Sequence, residues 1–224
     1  MTENRTHAAL LFDMDGTILN SIPAVERVWA TWAKDRGIPD AVIRSMPHGV
    51  RAVDVIARMN LPHIDPQTEA AILLERELAD SEGVIAISGA KALLEALPPD
   101  RWAIVTSAPA ALARLRISVA GLPFPRIMVT GEDVTRGKPD PQGYLLAAEK
   151  LGLPIADCLV FEDAPAGLQA GEAAGASVLA ITATHVAPLD PPYPAIRDYR
   201  DIEVTPIAPS GPLRVQRIHC MTPL

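Results

Sequence analysis

Two carboxylates one residue apart, Asp13 and Asp15, end the short apolar run Ala8-Ala9-Leu10-Leu11-Phe12 and are followed by Gly16 and Thr17. The run reads as a buried strand, being too short to span a membrane and closing on turn chemistry. Side chains at i and i+2 of a strand point the same way, so the two acids can converge at its carboxyl end. That is the end where open α/β sheets bind ligands. Two adjacent carboxylates repel, which favours either a shared cation or a proton held on one of them. Mg2+ takes carboxylate oxygens and commonly shares them with a substrate phosphate. An Asx-rich turn after an edge strand would use the same residues. A calcium loop would not: its pattern needs Asp or Asn at the fifth position, where Thr17 stands, with the glycine after it, whereas Gly16 comes before it.

Three further polar groups follow apolar runs or precede helices. Thr106-Ser107 closes the strand pattern Trp102-Ala103-Ile104-Val105, Lys138 lies in Gly137-Lys138-Pro139-Asp140-Pro141, and Glu162-Asp163 follows Cys158-Leu159-Val160-Phe161. Each has an ordinary reading by itself: a helix cap, a solvated turn lysine, an acidic helix start. Gathered at the strand ends of one sheet, they supply a nucleophile, an acid/base, a cation site, a hydroxyl donor and a fixed positive charge. Phosphoryl transfer needs that set.

The elements that must position these groups alternate. Helix patterns over Gly89 to Leu97, Ala110 to Val119, Pro141 to Leu151 and Pro165 to Ala174 are interleaved with strand patterns at Trp102 to Thr106, Arg126 to Val129, Cys158 to Phe161 and Ser177 to Ile181. Such alternation predicts an α/β fold, a Rossmann-like parallel sheet joined by crossover helices. Between the first strand and this series, residues 18–87 carry only helical periodicity. Ile22 to Ala33, with Ser21 as N-cap, Gly49 to Met59 and Pro66 to Leu78 form an inserted α-helical domain. The expected division is 1–17 with 88–224 for the α/β core and 18–87 for the insertion, hinged at Asn20–Ser21 and Ser81–Ser88. Pro188, Pro191, Pro192 and Pro194 predict a stiff surface segment, and Ile202 to Ile207 with Leu213 to Ile218 a terminal hairpin flanking Pro209-Ser210.

The chain of 224 residues, 49% hydrophobic and 21% charged, is in the globular range. A net charge of −7 disfavours a nucleic-acid partner, and no apolar run approaches a membrane span. The polar, short start from Met1 to His7 lacks a signal pattern, so a cytoplasmic location is expected. Cys158 and Cys220 make neither a disulfide framework nor a metal motif, and His7, His63, His185 and His219 form no cluster.

Taken together, D-x-D-G-T, the strand-ending T-S, G-K-P-x-P and V-F-E-D-A-P-A-G resemble the four motifs of the haloacid dehalogenase-like (HAD) superfamily, in order, over residues 8 to 185. The helical insertion resembles that superfamily's small α-helical cap. Pro47-His48-Gly49 and the strand motifs further resemble the sugar and polyol phosphatases, including the hexitol, glycerol-3-phosphate and 2-deoxyglucose-6-phosphate phosphatases. The resemblance implies a Mg2+-dependent phosphatase of small phosphorylated sugars or polyols, a monomer or weak homo-oligomer. Asp13 is then the nucleophile and Asp15 the acid/base, a carboxylic acid near neutral pH. Mg2+ is held by Asp13, the Asp15 carbonyl and Asp163, with Glu162 acting through a water. Thr106 and the N–H groups of Met14, Asp15 and Ser107 hold phosphoryl oxygens beside Lys138, and His48 and Arg51 read the substrate from the cap. Close helix–sheet approach accounts for Gly167 and Gly171. A phosphomutase would share all four motifs. A dehalogenase would need neither Asp15 nor the metal, and a phosphonatase would need a cap lysine where only Lys34 exists. A non-catalytic sugar-phosphate sensor would have lost a reactive group, and none is lost.

Overall fold

The computed structural model of the chain describes residues 5–44, 46–189, 192–208 and 211–217. Its strands are β1 (Arg5–His7), β2 (Ala9–Phe12), β3 (Leu19–Asn20), β4 (Ile85–Ala86), β5 (Trp102–Val105), β6 (Met128–Val129), β7 (Cys158–Glu162), β8 (Ser177–Ile181), β9 (Ala195–Ile196), β10 (Ile202–Pro206) and β11 (Leu213–Arg217). The α-helices are α1 (Ile22–Asp35), α2 (Asp40–Arg44), α3 (Ala52–Met59), α4 (Pro66–Ala79), α5 (Ala90–Ala96), α6 (Ala110–Val119), α7 (Gln142–Leu151) and α8 (Pro165–Ala174).

Six strands in the order β6-β5-β2-β7-β8-β9 make one sheet in which every pairing is parallel. Every residue of β2, β5 and β7 is buried, as continuous apolar runs covered by helices on both faces should be. Alternate residues feed two cores. Leu10, Phe12, Ile104 and Phe161 pack towards α5 and α6, whereas Leu11, Val105 and Val160 pack towards α7 and α8. Phe12 stacks on Phe161 across the β2–β7 pair at 4.8 Å between ring centroids. The central register, Phe12 beside both Ile104 and Phe161, brings the ends of β2, β5 and β7 level at one rim.

Helices α1 to α4 build a third core around Val28, Trp29, Trp32, Val55, Ile56 and Leu73. This layer follows the amphipathic pattern, with two departures. The pattern contains no strand, yet Leu19–Asn20 and Ile85–Ala86 pair antiparallel, so the two connections to the insertion run side by side. Each strand is two residues long, too short for a period-2 signal. The short α2 also follows Pro39 directly, within what reads as a helix stop.

At the other end, β10 and β11 form the expected hairpin, and β1 from the chain start joins β11 as a third antiparallel strand. The proline segment supplies β9, the sheet's sixth strand, which no periodicity announced. Pro191, Pro209, Ser210, Ile218, His219 and Cys220 lie outside the described residues. Cys158 is buried, and burial pushes its thiol up to about 11, the state of an inert core side chain.

Candidate active site

The backbone leaves β2 through a tight turn: Asp13 N–H still donates to Phe161 O at 2.9 Å, and the carbonyl of Met14 then accepts from Thr17, Ile18 and Leu19. Gly16 takes φ +86°, and a Cβ there would collide with the Asp163 carboxylate. The glycine therefore serves two needs, a left-handed turn and the close approach of an acid from another strand. Thr17 Oγ1 donates to Asp163 Oδ1 at 3.1 Å, tying the first motif to the last. Carboxylate oxygens of Asp13, Glu162 and Asp163 lie within 4.8 Å of one another. Residues 149 or more positions apart in sequence are thus brought together by the parallel pairing of β2 with β7.

Lys138 enters this cluster from the loop before α7. Its Nζ donates to Asp13 Oδ1 at 2.5 Å, Glu162 Oε1 at 2.6 Å and Val105 O at 3.1 Å. Asp13, Lys138, Glu162 and Asp163 are 4%, 6%, 0% and 6% exposed, so the cluster is shielded from bulk solvent. Burial and the neighbouring Glu162 raise Asp13 to about 7, against the opposing pull of Lys138. Burial, then Glu162 and Asp13, push Asp163 well above the usual carboxylate range. Burial disfavours the Lys138 charge, but its two carboxylate partners hold the ammonium firmly protonated.

Fully ionised, three carboxylates and one ammonium sum to two negative charges in a buried site. Among the described residues no donor reaches Asp13 Oδ2 or Asp163 Oδ2. Two open carboxylate oxygens and a twofold charge deficit fit a hard divalent cation. Glu162, expected to act on the metal through a water, is held by protein donors. Its Oε1 accepts from Lys138 and from Tyr144 Oη at 3.1 Å, and its Oε2 accepts the N–H groups of Asp163 and Ala164, each at 2.9 Å. With its acceptor positions filled by protein, Glu162 anchors Lys138 and caps the start of α8. Gly167 is required there, since a Cβ would overlap Glu162 Oε1.

The expected phosphate-binding groups stand on the same rim. Among the described residues the N–H groups of Met14, Asp15 and Ser107 donate to no protein acceptor, leaving three backbone donors free. Thr106 is buried, and its Oγ1 accepts from Ala108 N–H at 3.1 Å, which orients the hydroxyl hydrogen away from that bond. Ser107 Oγ donates instead to Gly49 O of the helical layer at 2.7 Å.

The two residues expected to read the substrate, Arg51 and His48, stand in different surroundings. Arg51 spends all five donors on protein: Nε and Nη2 on Asp54, Nη1 on Gly131 O and Val134 O, and Nη2 also on Thr135 O. It therefore clasps the helical layer to the loop after β6 and has no N–H left for a substrate. His48 is exposed and lines a cleft with Trp29, Met46 and Val50; Trp29, Gly49 and Val50 also line the cavity that holds Asp13 and Asp15.

The cavity beside Asp13 and Asp15, about 110 Å³, is walled by Asp13, Asp15, Trp29, Thr106, Glu77 and Arg116, among others. The last two carried no motif. Arg116 on α6 donates to Asp15 Oδ1 at 3.0 Å and to Glu77 Oε1 at 3.3 Å. Ser21, expected as the N-cap of α1, makes no cap bond and donates to Asp15 Oδ1 at 2.5 Å. Asn20 takes over by accepting from Ile22 N–H at 3.1 Å. His185 was also silent in sequence, and its Nε2 donates to Asp163 O at 2.9 Å.

A family profile described as haloacid dehalogenase-like hydrolase matches residues 7–175. The chain is 44% identical over 177 residues to hexitol phosphatase A of Escherichia coli, covering 77% of this chain and 82% of that protein. It is 36% identical over 187 residues to glycerol-1-phosphate phosphohydrolase 2 of Saccharomyces cerevisiae, covering 79% of this chain and 75% of the relative. The fold superposes on the crystal structure of a hydrolase from Pseudomonas syringae with a TM-score of 0.67 and 28% identity, covering 79% and 84% of the two chains.

Proposed function

The chain belongs to the haloacid dehalogenase-like hydrolase family, and we propose that it is a Mg2+-dependent phosphatase releasing inorganic phosphate from small phosphorylated polyols or sugars. One observation carries the reading: the buried group of Asp13, Asp163, Glu162 and Lys138 beside three unpartnered N–H donors. It offers a nucleophile, a fixed cation and an oxyanion cradle within one rim. The 44% identity to a hexitol phosphatase and 36% to a glycerol-phosphate phosphohydrolase support a polyol or sugar leaving group.

In this reading Asp13 attacks phosphorus in line; its oxygen–phosphorus bond forms as the bond to the leaving oxygen breaks. Asp15 gives the departing alkoxide a proton. A water then attacks phosphorus, surrenders a proton to Asp15, and the bond to Asp13 breaks. Asp13, Asp163 and the Asp15 carbonyl would hold Mg2+, which offsets the repulsion between the Asp13 carboxylate and the phosphoryl group. Lys138 keeps Asp13 oriented and adds positive charge beside the transferring group, while Thr106 and the N–H groups of Met14, Asp15 and Ser107 receive its oxygens. Closing the helical layer over the rim excludes bulk water, and no helix among the described residues is long and apolar enough to cross a membrane.

A panel of phosphorylated polyols and sugars incubated with Mg2+, scored for released phosphate, tests the proposal. Phosphate release from one of them, abolished by chelation, is the expected result. Isomerised ester without free phosphate would instead identify a phosphomutase, and inactivity towards the whole panel would defeat the substrate assignment.

A further inference from the structure

Arg116 is 4% exposed and Glu77 9%, yet both line the cavity beside Asp13 and Asp15. A buried guanidinium is costly unless its donors meet charge, and here it meets two carboxylates from different parts of the fold. One is Asp15, just past β2; the other is Glu77, near the end of cap helix α4. Trp29 on α1 lines the same cavity as Glu77, so a second cap helix borders that acid. Burial raises Glu77 and Arg116 opposes that rise.

The Asp15 end of this chain is asymmetric. Its Oδ1 accepts both Arg116 Nη1 at 3.0 Å and Ser21 Oγ at 2.5 Å, whereas among the described residues no donor reaches Oδ2. A carboxylate with one oxygen held by two donors cannot turn without losing both. The other oxygen is thereby left to carry the reacting proton on the cavity side. Ser21 heads α1, and Glu77 belongs to α4, so two of the three groups in this arrangement ride on the cap.

We propose that Arg116 is a positioning residue for the acid/base Asp15, and that Glu77 makes its hold depend on the helical cap being seated. The inference rests on the phosphatase reading above. It assigns Arg116 no contact with the phosphoryl group and no proton to transfer.

Leaving-group dependence separates this role from a purely structural one. An alkyl phosphate expels an alkoxide that must be protonated as it leaves; p-nitrophenyl phosphate expels a stable phenolate that need not be. Wild type, R116K, R116M and E77Q are compared on glycerol 3-phosphate and sorbitol 6-phosphate, and in rapid-mixing experiments on p-nitrophenyl phosphate, all with Mg2+. Misaiming a catalytic group by about an ångström costs on the order of 100-fold. R116M is therefore expected to lose about 100-fold in kcat on the alkyl esters with KM within about threefold, while its first-turnover burst of p-nitrophenolate keeps the wild-type rate. R116K should recover part of the loss, and E77Q should show the same split at about tenfold. Because R116M leaves the largely buried Glu77 without its charge partner, melting curves are recorded for each variant. If R116M is unfolded at the assay temperature, R116K and E77Q decide by the same split. Equal losses in burst and alkyl turnover, a loss confined to KM, or no loss would each overturn the role of Arg116. Wild-type enzyme that gives the burst but turns over neither alkyl ester would overturn the polyol reading itself.

Discussion

Replacing Lys138 by Met removes three hydrogen bonds at once, to Asp13, Glu162 and Val105 O, from a side chain that is 6% exposed. The length of the side chain is nearly kept, so little cavity forms and the loss is mainly electrostatic. The surrounding cluster changes from two net negative charges to three. Removing one partner of a buried ion pair costs about 3–5 kcal/mol, because the other charge is left without compensation. For a domain of this size each kcal/mol lowers the melting temperature by about 2–4 °C, so a fall of about 6–20 °C is expected. Part of that loss should be relieved in acid, where Asp13 takes up a proton and no longer needs the ammonium. Turnover should fall by at least about 100-fold even where the variant is folded, since a fixed charge beside the transferring group is gone. Circular-dichroism melts at two pH values, with steady-state phosphate release below the lower melting point, measure both effects. A variant that melts with wild type and retains its kcat would refute the placement of Lys138 at the centre of the cluster.

Two further outcomes follow from the same cluster. In metal-free protein Asp13 titrates at about 7 against 3.8 in the unfolded chain, and Asp163 is shifted the same way. The folded state thus binds more protons than the unfolded one in that window, and its stability falls as pH rises through it. Melting of metal-free enzyme should drop between about pH 5 and about pH 8, and added Mg2+ should restore more at the higher pH; equal stabilisation at both would count against a shared cation site. Gly167→Ala should unseat Glu162, because the new Cβ and the Oε1 atom claim the same space. Its expected signature is a destabilisation of about 1–3 kcal/mol from overpacking, measured by denaturant unfolding, with activity lost in parallel.

How much of this was legible in the chain follows a physical line. The groups that end buried parallel strands were readable, because a continuous apolar run closing on Asp13, Thr106 or Glu162 carries its position in the sheet with it. Their convergence on one rim follows from parallel pairing and was expected before any distance was known. Arg116 was not readable. In Ala110–Val119 it looks like any helix charge, and only the packing of α4 onto α6 reveals that it faces inward. Glu77 was hidden likewise, as one acid among several near the end of α4. Ser21 offered a local role as a helix cap that the fold overrode with a bond to Asp15. Arg51, expected to read a substrate, gives its donors to Asp54 and to loop carbonyls. Carbonyls of residues 131, 134 and 135 take its donors, and which carbonyls a loop turns outward is not written in residue types. Two-residue strands such as Ile85–Ala86 and Ala195–Ile196 are set by tertiary pairing and leave no periodicity to read.

The phosphatase account stands on covalent chemistry at a single carboxylate. Enzyme mixed with its preferred phosphate ester and Mg2+, quenched in acid within the first turnover, can be reduced with borohydride, which converts an aspartyl-phosphate to homoserine. Peptide mapping by mass spectrometry should then find homoserine at residue 13, with none in Asp13→Asn, a variant expected to lack turnover. Homoserine at another aspartate, or full turnover by Asp13→Asn, would contradict the account.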